Sequence, residues 1–154
     1  MRLAATAALL IPLIAAAPVQ QGTSQKAGPG IKWGPAPAVF PAGAQMAVMQ
    51  GDPSSSGLFT VRLKMPNGYR IAPHTHPTDE HVTVISGNFR VGMGTTMDAK
   101  GMTTLKAGDF ITAPANQAHY AMARGNTIVQ VHAMGPFALT YVNPADAPRT
   151  SSPR

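Results

Sequence analysis

The stretch GLFTVRLKM, residues 57 to 65, shows the pattern from which the fold can be predicted. From Phe59 to Met65 its side chains alternate strictly between apolar and polar. Successive side chains of a β-strand point to opposite faces, so a period of two residues predicts a strand with one buried face. An amphipathic helix would instead repeat its apolar residues every three to four positions.

Six further short runs of the same kind follow along the chain. They are HVTVIS (81–86), FRVGM (89–93), DFITA (109–113), HYAMA (119–123), TIVQVHAM (127–134) and FALTYV (137–142). Turn-forming residues separate many of them, at Pro66-Asn67-Gly68, Ser86-Gly87-Asn88, Ala107-Gly108 and Gly125-Asn126. The sequence therefore predicts an all-β domain, an antiparallel sandwich or barrel with little or no helix.

Changes in composition predict where this domain begins and ends. Residues 18–32 are rich in Gly, Gln and Pro and are expected to form a flexible linker. The single tryptophan, Trp33, is expected to pin the next segment to the body. The barrel domain is expected to span residues 33–143, followed by a flexible tail over residues 144–154. A chain of 154 residues has room for one ordinary domain.

Residues 1–17 have the features of an export signal. A positive start at Met1-Arg2 precedes an apolar run, and the alanines at 15 to 17 form a small-residue cleavage pattern. The run is shorter than the roughly 20 apolar residues that span a bilayer, and an uncleaved membrane anchor is the alternative. The mature protein is expected to be periplasmic or secreted, without stable membrane insertion after cleavage.

Charge and cysteine content exclude several classes of function. The chain carries a net charge of +6, but its basic residues are spread singly, without the clusters of a nucleic-acid surface. No nucleic-acid partner is therefore expected. The chain contains no cysteine, which excludes disulfides, thiolate metal sites and catalytic thiols. Any metal must be bound by nitrogen and oxygen ligands.

Metal-capable side chains are concentrated in HTHPTDEH, residues 74 to 81. His74 and His76 are two positions apart, so in a strand both imidazoles point to the same face. Prolines flank the pair on both sides and favour a stiff, extended backbone. In a hairpin-like return Glu80 would face the same interior, which gives three candidate metal ligands from one short segment.

The surrounding sequence resembles the two motifs of the cupin family. GYRIAPHTHPTDEHVTVISG (68–87) matches the first motif at Gly68, His74, His76, Glu80 and Gly87. GDFITAPANQAHYAMA (108–123) resembles the second motif at Gly108, Pro114 and His119. It departs from the pattern at Asn116, where Gly is usual, and at Ala123, where Asn is frequent. Asn is the best substitute for glycine in a left-handed turn, so the first departure is mild.

The resemblance implies a single double-stranded β-helix barrel, the cupin or jelly-roll fold. It also implies one divalent metal ion, bound by His74, His76, Glu80 and His119. Three imidazoles and one carboxylate suit Fe, Mn, Ni, Co, Cu or Zn. Four protein ligands leave positions open on a metal that prefers six, which is typical of catalytic rather than structural sites.

His81 and His132 are the two histidines outside this ligand set. His81 follows Glu80 and points to the opposite face, so it is expected to be structural or on the surface. His132 shares a face with Gln130; if that face lines the barrel, His132 would be a catalytic base or a hydrogen-bond partner of a ligand. A packed histidine bonded to a neighbour is the alternative. Asp79 is expected to hold the ligand turn through a local Asx-type bond.

Two classes of function remain open. The favoured one is an exported metal-dependent enzyme of the dioxygenase, lyase or isomerase type that acts on a small molecule. The alternative is a non-catalytic cupin of the cell envelope that binds or senses a metal or a small ligand. A regulator is disfavoured because no DNA-binding segment accompanies the barrel. The resemblance further implies a homodimer, paired through an N-terminal strand within residues 33–50.

Overall fold

The computed structural model describes residues 30–149, which contain nine β-strands, one short 3-10 helix (Pro144–Asp146) and no α-helix. The expected all-β class with little helix is confirmed. The predicted export signal (1–17), most of the predicted linker (18–29) and the end of the predicted tail (150–154) lie outside the described residues. The strands are β1 (Gly34–Pro35), β2 (Gln45–Gln50), β3 (Gly57–Met65), β4 (Arg70–Thr75), β5 (Glu80–Met93), β6 (Thr103–Lys106), β7 (Phe110–Ala113), β8 (His119–Gly135) and β9 (Thr140–Tyr141).

The sheet curls into a barrel because two long strands, β5 and β8, each serve both of its halves. The first half of β8 pairs with β4 and with the end of β5, whereas its second half pairs with β3 and with the start of β5. Short strands β6 and β7 complete the far side of β5. All of these pairs are antiparallel, and together they form a double-stranded β-helix.

The two long strands continue through glycines that the sequence pattern predicts to be turns. That prediction is wrong at Gly87 and Gly125, where φ is +80° and +78°. The register between β5 and β8 shifts on both sides of Ser86. Glycine adopts positive φ without a Cβ penalty, so each strand bends at this point instead of ending. Of the predicted strand over residues 137–142, only Thr140–Tyr141 form a strand, β9.

The alternating stretch that predicts the fold forms β3 and faces the core as expected. Phe59, Val61, Leu63 and Met65 are at most 5% exposed, whereas Lys64 is on the surface. Inward side chains of β5 and β8, among them Val82 and Val131, pack against this set. Full burial of a side chain of this size stabilises the fold by about 1.5–3 kcal/mol.

Aromatic residues attach the N-terminal segment to the barrel. Trp33 is half-buried, and Nζ of Lys64 lies 5.8 Å from its ring centroid, within the range of a cation–π contact. Phe40 is buried and stacks on Phe137, with 6.3 Å between the ring centroids. Residues 30–149 contain no helix with the length and apolar character needed to cross a membrane.

Candidate metal centre

Three histidines from separate positions in the chain converge inside the barrel. His74 lies in β4, His76 follows that strand, and His119 begins β8 directly opposite His74 in the ladder. Their ligand nitrogens all lie within 4.8 Å of one another, and each residue is only 3% exposed. The three histidines are therefore positioned to bind a metal ion.

Backbone carbonyls orient all three imidazoles in the same way. In each ring Nδ1 lies close to a carbonyl oxygen: His74 to Ala72 at 2.7 Å, His76 to Ala138 at 2.7 Å, and His119 to Gln117 at 3.1 Å. A carbonyl oxygen only accepts hydrogen bonds, so Nδ1 must carry the proton. The lone pair of a neutral ring is then on Nε2, the atom that faces the other two histidines and the one a metal would bind.

Two of these Nε2 atoms have no hydrogen-bond partner. Nε2 of His76 and Nε2 of His119 are buried and unsatisfied. A buried polar atom without a partner costs about 1–3 kcal/mol, so native structures rarely retain one without a functional reason. A cation bound between these atoms would satisfy both, and the residues present therefore fit a metal ion.

Glu80, the first residue of β5, lies beside the three histidines. Its Oε2 is 3.5 Å from Nε2 of His119 and 3.7 Å from Nε2 of His76. Both separations are longer than an ordinary hydrogen bond but within the range of an ion pair. The side chain of Glu80 is only 14% exposed, so its carboxylate is poorly solvated by water.

Burial and mutual charge set the protonation of this cluster. Burial, reinforced by the nearby charge of His119, lowers the pKa of His74 to about 4. Burial also lowers the pKa of His76. Burial alone would raise the pKa of Glu80, but its contacts with His119 and His76 outweigh that effect and lower the pKa. The contact with Glu80 raises the pKa of His119, although burial alone would lower it. At neutral pH the cluster thus combines a carboxylate with neutral imidazoles at His74 and His76, the states that metal ligands require.

The loop before β8 is tied to the ligand segment. The backbone N–H of Asn116 donates to the carbonyl of His76 at 2.8 Å, and Asn116 has a φ of +61°. Asn therefore adopts the left-handed conformation for which the second cupin motif uses Gly. Asp79 accepts a hydrogen bond from the N–H of Ala115 at 2.8 Å. Asp79 therefore links the ligand turn to this loop. The prediction that Asp79 forms a hydrogen bond within its own turn is wrong.

His132 lies on the outer face of the barrel, away from the three converging histidines. Its neighbours along β8, Val131 and Ala133, are buried in the core, and alternation turns His132 outward. Its Nδ1 shares a hydrogen bond of 2.9 Å with Oγ1 of Thr60. The face that carries His132 therefore does not line the barrel, so the condition for a catalytic role is not met. The arrangement is the alternative, a packed histidine bonded to a neighbour. His81, its partner in the β5–β8 ladder, also points outward, as expected.

A cavity of about 370 Å³ extends from the histidines through the barrel. This volume is within the range of small-molecule sites. The cavity reaches the surface beside Val48, Asp52 and Ser54, which are exposed members of its lining. The remaining wall consists mainly of aliphatic and aromatic side chains. A small molecule that enters the barrel would therefore reach the histidine cluster.

Phe137 is a cavity residue that the sequence pattern does not reveal. Its ring centroid lies 4.8 Å from that of His76, at an interplanar angle of 32°, and its ring meets Phe59 edge-on at 5.6 Å. Alternation placed Phe137 at the start of a predicted strand, where nothing distinguishes it from other core residues. The loop between β8 and β9 brings it to the site, together with the Ala138 carbonyl that orients His76.

The fold and the site agree with comparisons with known proteins. A family model described as a cupin domain matches residues 61–135, which include His74, His76, Glu80 and His119. The chain belongs to the cupin family. No curated protein matches the sequence.

Solved structures share this fold at low sequence identity. The polyketide cyclase RemF from Streptomyces resistomycificus superposes with a TM-score of 0.67 at 12% identity, over 82% of this chain and 89% of its own. A proposed acetylacetone dioxygenase from Methylibium petroleiphilum gives 0.60 at 22% identity, over 86% and 90%. An RmlC-like cupin from Shewanella frigidimarina gives 0.55 at 16% identity, over 72% and 90%.

Proposed function

We propose that this protein is a metal-dependent cupin enzyme that acts on a small molecule by dioxygenase, lyase or isomerase chemistry. Its metal ligands would be the three converging histidines together with Glu80. A bound divalent ion would supply Lewis acidity or a centre for dioxygen chemistry. The chain's own residues would supply orientation of the imidazoles through backbone carbonyls and a cavity that shields the reacting molecule from water.

One observation carries this proposal. The buried Nε2 atoms of His76 and His119 lack partners, and both face the same carboxylate oxygen of Glu80. A purely structural cluster would be expected to pair these atoms with hydrogen-bond donors. The adjoining cavity further supports a reactive role, because a closed structural metal site needs no route for a small molecule. Enzymes also occur among the proteins with this fold.

The carboxylate ligand can be tested by Glu80→Gln. This change keeps the side-chain volume but removes the negative charge that would face the cation. We expect the affinity for Zn²⁺ to fall by at least the roughly 10- to 100-fold that loss of a ligand-orienting group costs, measured by competition with a fluorescent zinc chelator at pH 7.5. The matched control is Asp79→Asn, which makes the same charge change at the exposed neighbouring position. Equal affinities for Glu80→Gln and the unmodified protein would show that Glu80 does not bind the metal.

Catalysis is tested separately from metal binding. The metal content of the purified protein is measured by mass spectrometry, followed by oxygen uptake and turnover on catechol-like, flavonoid, sulfonium and keto-acid substrates. Turnover that disappears on metal removal and returns on reloading is the expected result. A protein that keeps its metal but turns over none of these classes would favour the non-catalytic binding or sensing cupin of the cell envelope.

We extend the proposal to export and to a homodimer. Export is supported by the pattern of residues 1–17. Dimerisation is supported by the edge of β2, because β1 pairs only with Gln45 and Met46 and no other described strand pairs with the rest of that edge. Protein recovered from the cell envelope or the medium should have lost its first 17 or slightly more residues by intact mass. Native mass spectrometry should give twice that mass. Recovery of the full-length mass would contradict export. A monomer in native mass spectrometry would contradict dimerisation.

A further inference from the structure

The polar groups that line the cavity are concentrated at two places. His74, His76, Glu80 and His119 form one group at the candidate metal centre, and Asp52 and Ser54 form the other at the opening. The carboxylate of Asp52 accepts hydrogen bonds from the hydroxyls of Ser54 and Ser55 within its own loop. Between the two groups the lining is aliphatic or aromatic. A bound molecule would therefore meet polar side chains at the metal end and almost none along its body.

Between these two groups, the described part of the lining lacks side chains that would recognise a second polar group on the ligand. No Lys, Arg, Asn, Gln, Thr or Tyr is among the described residues that form it. The nearby cations of β3, Arg62 and Lys64, point to the outer face, where Arg62 donates to Gln130 at 2.9 Å. A carboxylate or hydroxyl buried in this region would lose its hydration without gaining a partner, which strongly disfavours binding.

Aromatic side chains form the part of the wall next to the metal ligands. Phe137 lies against the imidazole of His76, stacks parallel to Phe40 at 9°, and contacts Phe59 edge-on. Phe89 and Ile71 are buried and also line the cavity, so they extend its apolar surface. This geometry suits a flat or branched hydrocarbon group placed directly beside the metal-binding end of a ligand.

We infer that the cavity selects molecules with a single polar end, an oxygen chelator that reaches the metal, attached to an uncharged hydrocarbon body. Sugars, amino acids and acids with a carboxylate remote from the chelating end are excluded as substrates. Phe137 is the specificity-determining residue that contacts this body. The inference rests on the proposed function, because it assigns the ligand's polar end to the metal.

Two catechols with the same chelating head and different distal groups test the inference. Protein loaded with Zn²⁺, which is redox-inert, is titrated calorimetrically with 4-tert-butylcatechol and with 3,4-dihydroxybenzoate. We expect the tert-butyl compound to bind at least about a hundredfold more tightly, because the carboxylate would be buried without a partner. Equal or tighter binding of the carboxylate compound would overturn the inference.

Variants at two phenylalanines locate the contact. Compared at equal zinc occupancy, Phe137→Ala should weaken 4-tert-butylcatechol binding about tenfold, while Phe137→Leu should retain most of the affinity. The control is Phe110→Ala, since Phe110 is 56% exposed and stacks on the outward-facing His81. Equal losses in the Phe137 and Phe110 variants would overturn the assignment of Phe137, and thermal unfolding confirms that each variant is folded.

Zinc occupancy, measured on the same samples, separates failure of the inference from failure of the proposed function. If zinc is retained but the tert-butyl preference is absent, the inference falls and the metal site stands. If zinc is not retained, the proposed function falls, and the cavity is tested with non-chelating analogues. Metal-free protein should then prefer 4-tert-butylphenol to 4-hydroxybenzoate, and the absence of that preference would overturn the inference as well.

Discussion

Replacing His76 by Ala is expected to abolish metal retention at neutral pH. His76 contributes one of three buried nitrogens that converge on a common point, and its Nε2 has no other partner. Loss of a group that merely orients a ligand costs about 10- to 100-fold in metal affinity, so loss of the ligand itself should cost more. The measurement is the metal-to-protein ratio after gel filtration, determined by mass spectrometry at pH 7.5.

The control for this experiment is His81→Ala. His81 lies in the same short motif, but its Nδ1 shares a hydrogen bond with Oγ1 of Thr112 at 3.0 Å on the outer face. Its removal should leave metal occupancy unchanged. If His76→Ala retains as much metal as the unmodified protein, the assignment of these histidines as ligands is wrong. If both variants lose metal, the loss reflects general destabilisation instead, which circular dichroism would detect.

Gly87→Ala is expected to lower the free energy of unfolding by about 2–5 kcal/mol. A residue with a Cβ pays about 1–2 kcal/mol for the left-handed conformation that Gly87 adopts, and crowding of a packed region costs about 1–3 kcal/mol more. The added Cβ would meet the Asn126 carbonyl oxygen and would lie 2.8 Å from Cα of Thr127. Thr127 is completely buried, so the neighbouring strand has little room to move. Urea unfolding of the metal-free protein measures the effect without a contribution from metal binding.

Gly125→Ala provides a matched control for this prediction. Gly125 has nearly the same φ as Gly87, +78° against +80°, but an added Cβ would have no neighbour within 4 Å. It should therefore cost only the backbone strain of about 1–2 kcal/mol. The difference between the two variants isolates the close approach of β5 and β8 at Gly87. Equal losses of stability would show that this approach does not limit the residue at position 87.

Strands β3, β5, β7 and β8 could be predicted because their signal is local. Alternation along β3 reflects the geometry of a single strand with one buried face, and its four apolar residues from Phe59 to Met65 are buried as predicted. The bends at Gly87 and Gly125 could not be predicted in the same way. Glycine in a short window is compatible with a turn or with a bent strand, and the choice depends on the strand that pairs alongside it.

The residues of the candidate site likewise differ in whether local spacing could predict them. His74 and His76 were predictable from their spacing alone, since both belong to one extended segment. His119 was implied only by the resemblance to the second motif, since nothing local brings a residue 43 positions beyond His76 to the same point. The position of His132 depended on which face of β8 lines the barrel, and the ladder with β3 and β5 turns that side chain outward.

By itself, the sequence indicated the candidate metal ligands and the strands with a clear alternation, β3, β5, β7 and β8. These properties depend on residue type and on spacing along one strand, where neighbours are in contact whatever the rest of the chain does. Only the tertiary structure decided that Phe137 borders His76, that His132 faces outward and that the described cavity wall between the histidines and the opening is aliphatic or aromatic. Those facts depend on contacts between residues far apart in the chain, and such contacts exist only once the barrel has closed.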